Sequence, residues 1–184
     1  MAGEDRRAAR VALFPLPFQG HMSPMLQLAG ALHARGLAVT VLHTAFNAPD
    51  PARRHPGFSF VAVPDAISDA VAATEGGGGL DRVLAMNAAV EAPALAEGVR
   101  AALASMLRSG EPRLACLVID ATLTAVQKAA AGLGLPTLVL HTSSAACVRL
   151  FRSYDKGYLP AQGSQHKPQI CYFFASKHMF YVCE

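Results

Sequence analysis

The sequence has no tryptophan, and aromatic residues make up only 7% of its 184 positions. Charge is also scarce: 16% of residues are charged, and the net charge is +3. So small a surplus, with no basic run, argues against an electrostatic nucleic-acid binder. The four cysteines, Cys116, Cys147, Cys171 and Cys183, form no CxxC pair. They argue against a disulfide framework and fit free thiols in a reducing compartment. No secretory signal stands out, because MAGEDRRAAR mixes both charges and the next apolar run is broken by Pro15 and Pro17. The uncharged stretch Ala129 to Val148 carries Gly132, Gly134, Pro136, His141 and several hydroxyls, so stable membrane insertion is not expected. No Asn-x-Ser/Thr acceptor occurs, and the cytoplasm is the expected location.

What is present is apolar. Hydrophobic residues make up 52% of the chain, enough for one globular domain and too many for a disordered one. Arg10 to Phe14 reads as a buried strand ending at Pro15. Pro15 to His21 reads as a loop. Ser23 is then a suitable helix N-cap, with Pro24 as the first helical residue. Met25, Leu28, Ala29 and Leu32 repeat at helical spacing, and Gly36 supplies the stop. Leu37 to His43 and Phe58 to Val63 read as strands. Gly76 to Gly79 is a flexible loop. Leu80 to Arg108 is helical in pattern, with breaks expected at Pro93 and Gly98. Leu114 to Ile119 is a strand ending at Asp120. Thr122 to Leu133 is a helix, Leu135 to Leu140 a strand, and Ala145 to about Tyr154 a helix.

Strands that are apolar on both faces and alternate with helices predict an α/β fold, a Rossmann-like parallel sheet flanked by helices. Ligands in such sheets bind beyond the carboxyl ends of the strands. Three polar clusters lie at those ends: Gln19-Gly20-His21, Asp120, and His141 to Ser144. They are distant in sequence, yet the fold brings them to one edge.

Residues 163–184 break the pattern. Five of the thirteen aromatics fall there, and Ala175 is the segment's one alanine. Tyr172 to Val182 fits a strand or an apolar plug. The composition leans instead to a divergent tail never selected with the domain, as splicing or a frameshift produces.

Common catalytic signatures are missing. There is no GxxxxGK[ST], no G-x-S-x-G and no HExxH, and His33, His43 and His55 lack metal-ligand spacing. No metal or cofactor is expected. His21 differs, because it lies between a strand and a helix N-terminus. That positive end disfavours the imidazolium, so a neutral imidazole there can act as a base. A base needs an orienting partner that also stabilises its charged form. Asp120 is the best-placed carboxylate, and its competing role is an N-cap near Thr122. Ser143 and Ser144 read first as helix caps, and second as hydroxyls offered to a ligand.

The run Arg10 to Thr44, with its QGH motif and proline-containing helix, resembles plant UDP-dependent glycosyltransferases of family 1. So do Leu117-Val-Ile-Asp120, Gly134 to Ala146, and Asp155-Lys-Gly-Tyr-Leu-Pro160, the last being similar to the grass branch of benzoxazinone and cytokinin glucosyltransferases. The likeness spans about residues 10–162 and implies the N-terminal half of a GT-B fold. Residues 1–162 would be the acceptor-binding domain, and the donor-binding domain would be absent. It implies that His21 is the general base and Asp120 its partner. It places Gln19, Gly20, Thr142 and Ser143 near the donor sugar. Phe14, Phe18, Met86 and Phe151 become acceptor-pocket candidates, although packing is the commoner role for such residues. The co-substrate of the complete enzyme would be a UDP-sugar, the acceptor a small plant metabolite or hormone, and the missing donor domain the natural partner surface. The family's donor signature contains tryptophans, and this chain has none. The resemblance thus implies a chain inactive alone. The alternatives are a non-catalytic acceptor-binding module or an unstable splice or frameshift product.

Overall fold

The computed structural model describes residues 9–46, 48–50, 54–110, 112–142, 170–175 and 178–183. Side chains are described up to Thr142. Ser143, Ser144, Cys147, Phe151, the expected helix 145–154 and the stretch 155–160 therefore lie outside the described residues.

Numbered over those residues, the elements run β1 (Arg10–Phe14), α1 (Gln19–His33), β2 (Ala38–His43), β3 (Phe58–Ala62), α2 (Ile67–Ala72), α3 (Gly79–Glu91), α4 (Pro93–Ser109), β4 (Leu114–Asp120), α5 (Thr124–Ala131), β5 (Thr137–His141), β6 (Ile170–Ala175) and β7 (His178–Cys183). The sheet order is β3-β2-β1-β4-β5-β7-β6. The first five strands are parallel, as the apolar runs predict. Segment 170–183 adds an antiparallel hairpin, with β7 paired to β5 and β6 to β7.

Alternation along β1 divides the interior into two cores. Val11 and Leu13 join Met25 and Ala29 of α1, with Val39, Val41 and Val118. Ala12 and Phe14 face the other way, onto Leu95, Val99 and Leu103 of α4 and Val126 of α5. The sheet is thus covered by helices on both faces, the layering that a Rossmann-like pattern requires.

Four local expectations need correction. Helix α1 begins at Gln19, so Ser23 is not its cap and Pro24 is inside it. The N–H groups of His21 and Met22 both donate to the Phe18 carbonyl, at 2.9 and 2.8 Å, and close a first turn ahead of the proline. Pro24 removes the bond that its own N–H would have made to the Gly20 carbonyl, and its ring crowds that same carbonyl. His21 consequently sits on the helix, not in a loop before it.

Pro93 does break the long helical segment. Ala92 is pushed to ψ 141°, extended as a residue before proline prefers, and Pro93 then opens α4. Gly98 breaks nothing. It lies within α4, where a Cβ would meet Val63 Cγ1 at 2.9 Å and the Pro64 carbonyl at 3.0 Å. Gly98→Ala tests that contact. Alanine gains about 1 kcal/mol of helix propensity. Overpacking against a backbone carbonyl costs about 1–3 kcal/mol. A lower urea midpoint is expected, and a higher one would show that the approach is looser.

The six-residue helix α2 was not foreseen, being too short to display a period. Asp65 starts it by accepting from the Ile67 N–H at 2.9 Å and holds the chain after β2 through Ala45 at 2.7 Å. Among the described residues, no helix is long and apolar enough to cross a membrane. Burial raises the thiol pKa of Cys116, a free cysteine, and so makes it a poor nucleophile.

Candidate active site

The chain reverses direction across the sheet between β1 and β4. From β1 it moves outward to β2 and β3, then returns to place β4 on the opposite side of β1. In open sheets of this kind ligands bind where strand order switches, beyond the carboxyl ends of the two strands. His21 enters this place from the first turn of α1, just after β1. Asp120 is the last residue of β4. Thr142 follows β5, whose Leu140 is level with Asp120.

These three side chains meet. His21 Nδ1 lies 2.6 Å from Asp120 Oδ2, across 99 positions of sequence. Thr142 Oγ1 lies 3.3 Å from the same nitrogen. Asp120 is buried, whereas the His21 side chain keeps 29% exposure, enough to meet a ligand. An ionised carboxylate only accepts hydrogen bonds, so Nδ1 is the protonated nitrogen and donates. Nε2 then carries the lone pair. This is the tautomer that a base needs, with its partner fixed behind the ring.

The second oxygen of Asp120 is also satisfied. Oδ1 accepts from the Thr122 backbone N–H at 3.2 Å and from its hydroxyl at 3.0 Å. Of the two placements weighed for Asp120, the contact with the imidazole is made through Oδ2, whereas the helix-cap reading is corrected: α5 starts at Thr124 with Leu123 at its cap position and no side-chain cap bond, and Oδ1 closes an Asx turn onto Thr122 ahead of it. A buried carboxylate without such partners would carry a heavy desolvation cost.

Of the other candidates, Gln19 and Gly20 are exposed on the first turn of α1, beside the dyad. A Cβ at Gly20 would meet nothing within 4 Å, so the space in front of this turn is open. Phe18 approaches the His21 ring edge-on at 6.1 Å and rests on the larger core. Phe14 is fully buried in that core, and Met86 packs against it. Thr122 was missed as a site residue. The Asp-x-Thr spacing at a strand end was the available signal.

Among the described residues, no group of three His, Cys, Asp or Glu side chains could hold a metal ion. His33 and His55 do approach, with ring centroids 5.3 Å apart, but they pack with Phe58 in an aromatic cluster at the β3 edge.

No protein-family model matches the chain. Curated relatives do. The DIMBOA UDP-glucosyltransferase BX8 of Zea mays is 43% identical over 165 residues, which cover 83% of this chain and 34% of that protein. UDP-glycosyltransferase 76F2 of Arabidopsis thaliana is 37% identical over 174 residues, covering 88% of this chain and 35% of the relative. The chain therefore spans about a third of the length of the relatives it matches. Among solved structures, Os79 from O. sativa in complex with UDP superposes with a TM-score of 0.61 at 27% identity, over 82% of this chain and 33% of that one. Phytolacca americana UGT2, complexed with UDP-2fluoro-glucose and pterostilbene, shares the fold with a TM-score of 0.64, over 89% of this chain and 38% of its own.

Proposed function

The chain belongs to the plant UDP-glycosyltransferases, and from that premise we propose that it forms the acceptor-activating part of a sugar transferase. The observation that carries this reading is the His21–Asp120 pair at the switch point, which engages Nδ1 and turns Nε2 to the other side of the ring. His21 Nε2 takes the proton from an acceptor hydroxyl or amine. The freed oxygen or nitrogen attacks the anomeric carbon of the UDP-sugar. The bond from that carbon to the UDP oxygen breaks, UDP leaves, and the configuration inverts. As the proton arrives His21 becomes cationic, and the fixed Asp120 carboxylate stabilises that charge without reorganising.

Gln19, Gly20 and Thr142 lie around the dyad; the exposure of Gln19 and Gly20 and the contact of the half-buried Thr142 with His21 Nδ1 support a role near the sugar and phosphates. Glucose is the sugar named for the maize relative, and it is our proposed donor sugar. The acceptor class is a small hydroxyl- or amine-bearing plant metabolite. Phe18, beside the imidazole, is the best-placed apolar wall for it.

Positioning donor and acceptor together supplies much of such a rate. The 184 residues span only a third of their relatives, so on their own they are proposed to bind an acceptor without transferring sugar. Isothermal titration with UDP-glucose checks this. No saturable heat is expected, and a saturable isotherm would overturn the separation of roles. Activity itself is tested by grafting residues 1–162 in place of the matching segment of the maize relative. Glucose transfer by the graft supports the reading, and a folded but inert graft sinks it.

A further inference from the structure

The dyad uses one oxygen of Asp120, and the other is held just as deliberately. A carboxylate torsion is broad, so one contact on Oδ2 would leave the group free to twist and to exchange its two oxygens. Both described bonds to Oδ1 come from Thr122, through its N–H at 3.2 Å and its hydroxyl at 3.0 Å. Thr122 is exposed, where water would satisfy its hydroxyl, yet that hydroxyl turns inward to a buried carboxylate. The turn does not need this bond, because the Leu123 N–H already closes it on the Asp120 carbonyl at 3.1 Å.

The geometry points to Thr122 as a positioning residue: its hydroxyl fixes the Asp120 carboxylate so that Oδ2 keeps His21 Nδ1 protonated and leaves Nε2 as the base. This rests on the reading of His21 as base given above. The role is steric and directional. A hydroxyl acting only by polarising the carboxylate would weaken Asp120 as an acceptor, so its removal would strengthen the His21 contact. Positioning predicts the reverse.

The test is the tautomer ratio of His21 in the 15N-labelled 184-residue chain, read from imidazole nitrogen signals where the ring is neutral. His21→Ala assigns the signals. Thr122→Val should lower the ratio of the Nδ1–H to the Nε2–H form by at least about threefold, part of what one hydrogen bond to a charged group is worth. Thr122→Ser should restore most of it. Where valine disturbs folding, judged from the amide spectrum, Thr122→Ala gives the same reading without the branched methyls. An unchanged or higher ratio in the folded variant overturns the proposal. Asp120→Asn separates this from the dyad itself. Both Thr122 donors draw the amide oxygen, so the NH2 faces Nδ1 and the Nε2–H form should dominate. If Asp120→Asn leaves the ratio unmoved, the dyad reading fails. If it inverts the ratio while Thr122→Val does nothing, only the positioning role fails.

Discussion

His21→Ala should lower sugar transfer by about 10²- to 10⁴-fold, the range that a positioned general base supplies. The measurement is steady-state turnover of the grafted transferase, with and without the substitution. The loss should fall on kcat, with little change in KM for the acceptor, because the proton moves only as the transition state forms. Asp120→Ala should be costly too, since it removes the group that fixes the tautomer and meets the imidazolium. The double variant should be scarcely worse than His21→Ala alone, because without the imidazole the carboxylate has nothing to orient. Near-normal turnover for His21→Ala would remove this residue as the base. Additive losses would mean that Asp120 acts on the substrate directly.

Phe14→Ala carries the largest expected loss of stability. Phe14 ends β1, a central strand, and has no exposed surface. Large-to-small changes of this kind cost about 3–5 kcal/mol, from lost transfer energy and the cavity left behind. At about 2–4 °C per kcal/mol for a chain of this size, the melting temperature should fall by about 6–20 °C. Circular dichroism melts measure it. The result also decides between the two roles weighed for Phe14. A side chain lining a water-filled acceptor pocket would be replaced far more cheaply. A loss below about 1 kcal/mol would therefore argue for the pocket over the core.

The fold and the dyad were legible for one reason. Strands β1, β4 and β5 are short and apolar on both faces, and such strands must pair in parallel beneath helices. Once paired, the polar residues at their ends have nowhere to go but one edge, which is how His21 and Asp120 meet. Local chemistry was less readable. Pro24 has the credentials of a first helical residue, but two N–H groups converging on the Phe18 carbonyl start the helix earlier. Gly98 looks like an interruption, yet it is bare because α4 crosses Val63 and Pro64 too closely for a side chain. The first is a choice between two local helix starts that the residue types alone do not settle, and the second depends on tertiary neighbours that no sequence window contains. Thr122 was read only as a recipient of capping, although the hydrogen bond runs from its hydroxyl back to the aspartate. For Ser143 and Phe151 the expectations stand as made, because both lie outside the described residues.

The span of 99 residues between His21 and Asp120 has a kinetic consequence. Neither residue can help the other until β4 has docked on β1, a parallel pairing that closes a long loop and must meet its entropy first. A partly folded chain in which only β1, β2 and β3 have assembled would hold its histidine with no acid behind it. Recovery of the His21–Asp120 contact during refolding is therefore a clock for β4 docking, and it should run with the slowest non-local step, later than the local closure of α1.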